Sequence, residues 1–283
     1  MTRSNVTLGV TSTGNLRALT MALSSVLLGS ELPCRILLRL EGEFPSFGDF
    51  YLEQVSELAR VQGVEFVVHV ARSQGIRNAR DFLLRESRTK LLWMLDDDVI
   101  ARPECLSAFM EADRLLAQTQ GNGWGYVNGT KPDLNNRRGY KDFSTVPLRG
   151  DQAKENQSYN QFYEGPGVLV RHSTADTGNL LINVPAVLTQ GIGFNTLPAS
   201  TNAGGEDTMF ALQCARKGLS GWFHTGARSY HLEKPETRFG EYAARKQYLL
   251  TEAARLGLPT SSIELMMPWV KAFQSNDSQS NVS

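Results

Sequence analysis

Three consecutive aspartates, Asp96, Asp97 and Asp98, follow directly on the apolar run in LLWMLDDDV. Three negative charges at the end of a buried segment are costly unless something positive neutralises them, and a divalent cation is the economical answer. A hard ion such as Mg2+ or Mn2+ takes one or two carboxylates and keeps positions open for phosphate oxygens. Strand alternation carried through the cluster would place Asp96 and Asp98 on one side, sharing a site, and Asp97 on the other. The competing reading is an acidic turn that caps the next helix. A second acidic pair, Glu206 and Asp207, stands in NAGGEDTMFALQCARKG, where Met209 and Leu212, and Phe210 and Cys214, fall at helical spacing. Acids in a first helical turn cap the helix and complement its dipole. A carboxylate there can equally act as a general base. Spacing leaves both readings open.

These residues need a scaffold, and the first hundred residues supply an alternating one. Residues 6–10, 35–40, 64–70 and 90–95 read as strands. Residues 16–28, 50–61 and 77–86 read as the helices between them. That βαβαβαβ order implies a parallel sheet covered on both faces, which binds ligands beyond the carboxyl ends of its strands. The ends to inspect are Thr11 to Thr13, Glu41, Ala71 to Ser73 and the aspartates, with Arg77 and Arg80 on the helix that follows the third strand. After a helix over 103–116, residues 129–166 are too polar for a core and too long for an ordinary connection, so they read as a functional loop. Strands over 168–170 and 180–182 follow, then a helix over 206–217, a strand around Trp222 and a helix over 239–256. The Ser/Asn-rich end, 274–283, is expected to be disordered.

Composition narrows the class. The 283 residues, 41% of them hydrophobic, can bury a full core without staples. Lys plus Arg and Asp plus Glu each number 29, so no global field draws the chain toward nucleic acid or an anionic membrane. Cys34, Cys105 and Cys214 lack a metal-ligand rhythm and read as free thiols in a reducing compartment. The opening MTRSNVTLGVTSTG lacks a secretory apolar core and no run reaches the length of a membrane span, so a cytoplasmic location is expected.

The order of these motifs resembles glycosyltransferase family 2, with the GT-A fold. The D-x-D that ends an apolar strand is Asp96 to Asp98, and the preceding G-x-x-x-A-R-N segment is matched by Gly75, Ala79 and Arg80 in GIRNARDFLL, where Asp81 replaces the usual Asn. The resemblance covers roughly residues 6–230. It implies a mostly parallel central sheet flanked by helices, with residues 1–120 as a nucleotide-sugar-binding half. Residues 121–257 would form the acceptor-binding half of the same domain, and 258–283 a C-terminal extension. It implies an inverting transfer from a nucleotide diphosphate sugar, a UDP-sugar above all, to an acceptor hydroxyl, with Mn2+ or Mg2+. Thr11, Thr13, Glu41, Arg77, Arg80, Asp96 and Asp97 would then bind the donor. Asp98, Asp96 and His231 would hold the metal, and Asp207, with Glu206 beside it, would be the base. Gly178, Asn179 and Leu180 in TGNLLIN resemble a segment that lines the sugar site, and Trp124 and Trp222 are candidates to stack on a sugar or to pack in the core.

Two other functions fit an α/β sheet with paired aspartates. A nucleotidyltransferase acting on sugar phosphates would favour a glycine-rich loop with a lysine near the first strand, and TSTGNLR has neither. A non-catalytic nucleotide-sugar-binding protein would not need both acidic motifs. The acceptor is open between a glycan, another hydroxyl compound and DNA: KPDLNNRRGYK gathers Lys131, Arg137, Arg138 and Lys141 beside Tyr140, which reads first as a solvated charged loop and second as a pattern suited to phosphates.

Overall fold

The computed structural model describes residues 2–42, 48–72, 74–132, 166–195, 205–232 and 250–257. The expected alternation is present in the first half: β1 (Thr2–Ser12), α1 (Leu16–Leu27), β2 (Glu31–Glu41), α2 (Gly48–Gln62), β3 (Glu65–Ala71), α3 (Ile76–Glu86) and β4 (Leu91–Asp96). The four strands pair in parallel in the order β3-β2-β1-β4. Val6, Leu8 and Val10 of β1 and Leu91 to Leu95 of β4 are buried, as a parallel strand with both faces covered requires. Asn15 caps α1 by accepting from Ala18 N, and its buried stripe of Leu16, Leu19, Leu23, Val26 and Leu27 closes one face. Burying each such side chain contributes about 1.5–3 kcal/mol.

Beyond β4 the sheet changes character. β5 (Val99–Ala101), β6 (Trp124–Thr130), β7 (Leu169–Arg171), β8 (Asn179–Asn183) and β9 (Ser220–His231) extend it in the order β8-β6-β9-β5, with β7 also on β9. β8 runs antiparallel to both β4 and β6, and β5 and β7 run antiparallel to β9, while β6 and β9 are parallel. The expected mostly parallel sheet is therefore a mixed one, parallel as a block only in its first half. β8, inserted between β4 and β6 and opposed in direction to both, ends the parallel block. Three helices pack against this half, α4 (Cys105–Thr119), α5 (Val184–Thr189) and α6 (Glu206–Arg216). No helix among the described residues is long and apolar enough to cross a membrane.

β6 has no counterpart among the expected strands, because the Gly and Asn residues of WGYVNGT interrupt its Trp, Tyr, Val and Thr as a turn would, and residues 129–130 read as the start of the long loop. All seven residues are nevertheless buried. Its unusual residues answer to packing. A side chain at Gly129 would run into Ala227 O and the Asn179 amide. The Asn128 amide donates to Thr174 O at 2.7 Å while its carbonyl accepts from Asp176 N at 2.8 Å. Trp124 lies wholly inside the core, so it cannot stack on a sugar. Residues 133–165 of the long loop, most of the 239–256 helix and the C-terminal extension lie outside the described residues.

Asn179 ties the two halves together at the start of β8. Its Nδ2 is 3.1 Å from Thr130 O, Ala227 O and Ser229 Oγ, and its Oδ1 accepts from Trp93 Nε1 at 2.9 Å. One side chain thus joins β4, β6, β8 and β9 in a buried place where unpaired polar groups are costly. Asn179→Ala is expected to lower stability by about 3 kcal/mol or more. Urea unfolding followed by tryptophan fluorescence checks this, and a loss below about 1 kcal/mol would show the network to be dispensable.

Candidate active site

The carboxyl ends of β1, β2 and β4 and the start of α3 enclose a cleft of about 230 Å³. Its wall includes Thr11, Thr13, Glu41, Arg80, Asp96 and Asp97, six residues singled out from the sequence, and also Ser12. Pairing of β1 with β4 sets Thr11 directly beside Asp96. Arg77 is not on this wall. It is buried on α3, and its Nη1 has no hydrogen-bond partner among the described residues. Glu41 has a positioning task besides lining the cleft. Its Oε2 accepts from Gln74 N and Gly75 N, both at 3.1 Å, and Arg39 Nε lies 3.2 Å from Oε1. Those bonds fix the turn into α3, where Gly75 sits at φ +84°, a conformation costly for any residue with a Cβ.

The aspartates separate into three environments. β4 ends at Asp96 and the chain turns, so strand alternation does not reach Asp97 and Asp98. The expectation that Asp97 points away is corrected: it lies on the cleft wall with Asp96, and Ser12 Oγ donates to its Oδ2 at 2.5 Å. Asp98 is instead buried against His231, whose Nε2 is 3.3 Å from Asp98 Oδ1. The β5–β9 ladder brings these two together, with Val99 opposite His231 and Leu232 N donating to Asp98 O at 2.8 Å.

Arg80 links the first acidic motif to the second. Its Nη2 donates to Asp96 Oδ1 at 2.8 Å, and its Nη1 pairs with Glu206 Oε1. Glu206 is only 2% exposed, and its Oε2 is buried with no hydrogen-bond partner among the described residues. Gly205, at φ +119°, turns the chain into α6 and sets both acids in the first turn. Asp207 is less buried than Glu206, and its Oδ1 accepts from Thr208 N at 2.6 Å. Asp81, where the resemblance expects Asn, accepts from Phe194 N at 3.0 Å and from Arg85 Nε at 2.6 Å, and so anchors the segment after α5.

Two further residues join the site: Asp176, which no sequence pattern singled out, and Lys131, for which the sequence suggested a different place. Lys131, expected among the solvated charges of a basic loop, is turned inward. Its Nζ is 2.8 Å from Asp176 Oδ1 and 3.8 Å from Asp96 Oδ2. Burial by itself disfavours its charge, but Asp176, Asp96 and Asp207 outweigh that and hold the ammonium above the usual lysine range. The other four residues named in that loop, Arg137, Arg138, Tyr140 and Lys141, lie outside the described residues. Lys131 and Asp176 are 45 positions apart, so no spacing rule could have joined them. The only local signal was Gly178, where a Cβ would stand 2.5 Å from Lys131 Cδ and 2.8 Å from Asp96 Oδ2.

The donor set suits a hard cation only in part. No group of three or more His, Cys, Asp or Glu suited to a metal occurs among the described residues. Asp98 and His231 form a ready pair, and Mg2+ or Mn2+ commonly completes its shell with water and substrate phosphates.

The sequence matches no protein-family model and no curated protein. Its fold does match solved structures. The mannosyltransferase PcManGT from Pyrobaculum calidifontis, in complex with GDP-Man and Mn2+, is similar with a TM-score of 0.63 at 14% identity, over 99% of this chain and 76% of that one. GalNAc-T7 with UDP, GalNAc and Mn2+ gives 0.61 at 14% identity over 87% of this chain. S. aureus TarS 1-349 in complex with UDP-GlcNAc gives 0.60 at 12% identity, over 94% of this chain and 70% of that one. The matches span 47% of GalNAc-T7 and 39% of the longer TarS chain, so each of those proteins carries much besides. The shared architecture is the GT-A fold.

Removing one partner from a buried ionic group leaves the others uncompensated. Arg80→Met is therefore expected to lower stability by about 3–5 kcal/mol. Adding Glu206→Gln should recover about 1–3 kcal/mol of it as a coupling term. Denaturant unfolding of the two single variants and the double variant measures this, and strict additivity would dissolve the proposed link.

Proposed function

We propose that this chain is a metal-dependent glycosyltransferase that moves a sugar, with inversion, from a nucleoside diphosphate donor to an acceptor hydroxyl. The observation that carries the reading is the Arg80 bridge, which holds Asp96 of the cleft and the α6 acid pair in one connected site. A nucleoside diphosphate needs a pocket at strand ends and cations near its phosphates. Thr11, Thr13 and Glu41 line the part of the cleft suited to the nucleoside, and Arg80 supplies a fixed positive charge. Asp98, Asp96 and His231 would hold Mn2+ or Mg2+, which when bound supplies Lewis-acid stabilisation to the departing diphosphate. Complexes of three fold relatives with UDP, UDP-GlcNAc or GDP-Man support a nucleotide-sugar donor, and we favour a UDP-sugar.

Asp207 is the base in this reading. It takes the proton of the acceptor hydroxyl while that oxygen attacks the anomeric carbon. The bond from that carbon to the diphosphate oxygen breaks on the opposite face, and its electron pair leaves with the phosphate. Glu206, locked to Arg80, positions the helix end rather than moving a proton. Residues up to about 120 would serve the donor and 121–257 the acceptor, within one domain, since a single core cluster takes residues from both. Lys131, one of the four cations that made a phosphate-rich acceptor conceivable, is instead engaged with Asp176, which favours a glycan or other neutral hydroxyl acceptor over DNA. Free Cys34, Cys105 and Cys214 fit a cytoplasmic location.

Calorimetric titration with UDP and GDP in Mn2+ tests the donor site. Binding is expected to vanish on chelation of the metal and to weaken about tenfold or more in Asp98→Ala. Asp207→Asn should keep nucleotide binding yet lower kcat by about a hundred- to ten-thousand-fold in a donor-consumption assay. Metal-independent binding, or an Asp207→Asn variant with the full rate, would overturn the reading. Nucleotide binding with no turnover of any nucleotide sugar would point instead to a binding protein.

A further inference from the structure

The site holds hydrogen-bonding capacity that its own contacts leave unspent. On the side of Asp96 away from Arg80, the Lys131 ammonium carries three hydrogens and makes one hydrogen bond among the described residues, to Asp176 Oδ1 at 2.8 Å. Asp96 Oδ2, at 3.8 Å, attracts it without a hydrogen bond. Asp176 accepts twice, from Lys131 Nζ and from Gly178 N at 2.9 Å, and both bonds fall on Oδ1. Asp176 Oδ2 accepts nothing among the described residues and is not sealed from solvent. The two side chains keep a narrow opening, 15% exposed for Lys131 and 16% for Asp176.

The pair is held open by construction. Glycine at 178 is what lets the lysine stem pass close to Asp96, since any Cβ there would occupy the same space. Asn128 Oδ1 fixes the Asp176 backbone by accepting from its N–H at 2.8 Å. The free acceptor on Asp176 and the free donors on Lys131 are anchored at the same oxygen, so they can serve one ligand at once. A ligand with two adjacent hydroxyls matches that pattern, with one hydroxyl giving its hydrogen to the carboxylate and its neighbour accepting from the ammonium.

We propose that Lys131 and Asp176 form the subsite that recognises the transferred sugar, through a vicinal diol that donates to Asp176 Oδ2 and accepts from Lys131 Nζ. This assignment rests on the donor-site reading above and names the residues that choose among donors. It places the sugar beyond Asp96 from the nucleoside cleft, on the side of Asp96 where the charge of Asp207 also acts on Lys131.

The test is calorimetry in Mn2+ with UDP, UDP-glucose and UDP-N-acetylglucosamine, and with GDP and GDP-mannose. Wild type is compared with Lys131→Met and Asp176→Asn. The second variant keeps the shape of the site but turns the free acceptor into a donor, and unfolding midpoints confirm that each variant is folded. At least one nucleotide sugar is expected to bind wild type about tenfold or more tighter than its own nucleoside diphosphate. Both variants should lose about ten- to a hundred-fold of that margin, while affinity for the nucleoside diphosphate shifts by less than about threefold. Equal loss for nucleotide and nucleotide sugar would reduce the pair to a structural role and overturn the proposal. An unchanged margin, or none in wild type, would overturn it as well while leaving the donor site standing. Absence of nucleoside diphosphate binding in wild type would remove the donor site and this subsite with it.

Discussion

A guanidinium group buried between two carboxylates is the constraint to which the site conforms. Arg80 reaches from α3 to Asp96 at the end of β4 and to Glu206 at the head of α6, with all three side chains mostly withdrawn from water. Desolvating these charges is expensive, and the expense is offset only if geometry keeps every partner in place. The Gly75 and Gly205 turns, the bonds from Glu41 to the start of α3, and the anchoring of Asp81 to Phe194 all serve that geometry. Lys131 and Asp176 continue the alternation of charge on the far side of Asp96.

The mixed sheet follows from the same need. β8, entering antiparallel between β4 and β6, carries Asn179, which donates to backbone carbonyls of β6 and β9 and accepts from the Trp93 indole of β4. Directly before it, Gly178 opens the space that Lys131 enters. The irregular second half brings Lys131 to the end of β4, in the regular first half.

What was legible in the sequence divides along the same line. β1 to β4 were readable because strands covered on both faces appear as continuous apolar runs separated by amphipathic helices. The cleft at their carboxyl ends followed from topology, and six of the residues singled out line it. β6 was not readable, since its Gly and Asn residues mimic a turn although each meets a packing demand from a segment distant in sequence. The fate of Asp97 was misjudged because alternation holds only while the strand lasts, and β4 stops one residue earlier. Lys131 and Asp176 illustrate a deeper limit: their partnership depends on how two separate segments return to the sheet, which no local pattern records.

The ionic chain also bears on how the protein is made. Its members are Arg80, Asp96, Lys131, Asp176 and Glu206, and the last is separated from Arg80 by 126 positions. During synthesis the first half can emerge and begin to pair while α6 is still within the ribosome, and domains tend to fold as units. Until Glu206 arrives, Arg80 has only one of its two carboxylates and no reason to leave water. The polar centre of the site is thus withheld from the first half of a nascent chain and assembled only once the segment that carries Glu206 has been made and docks.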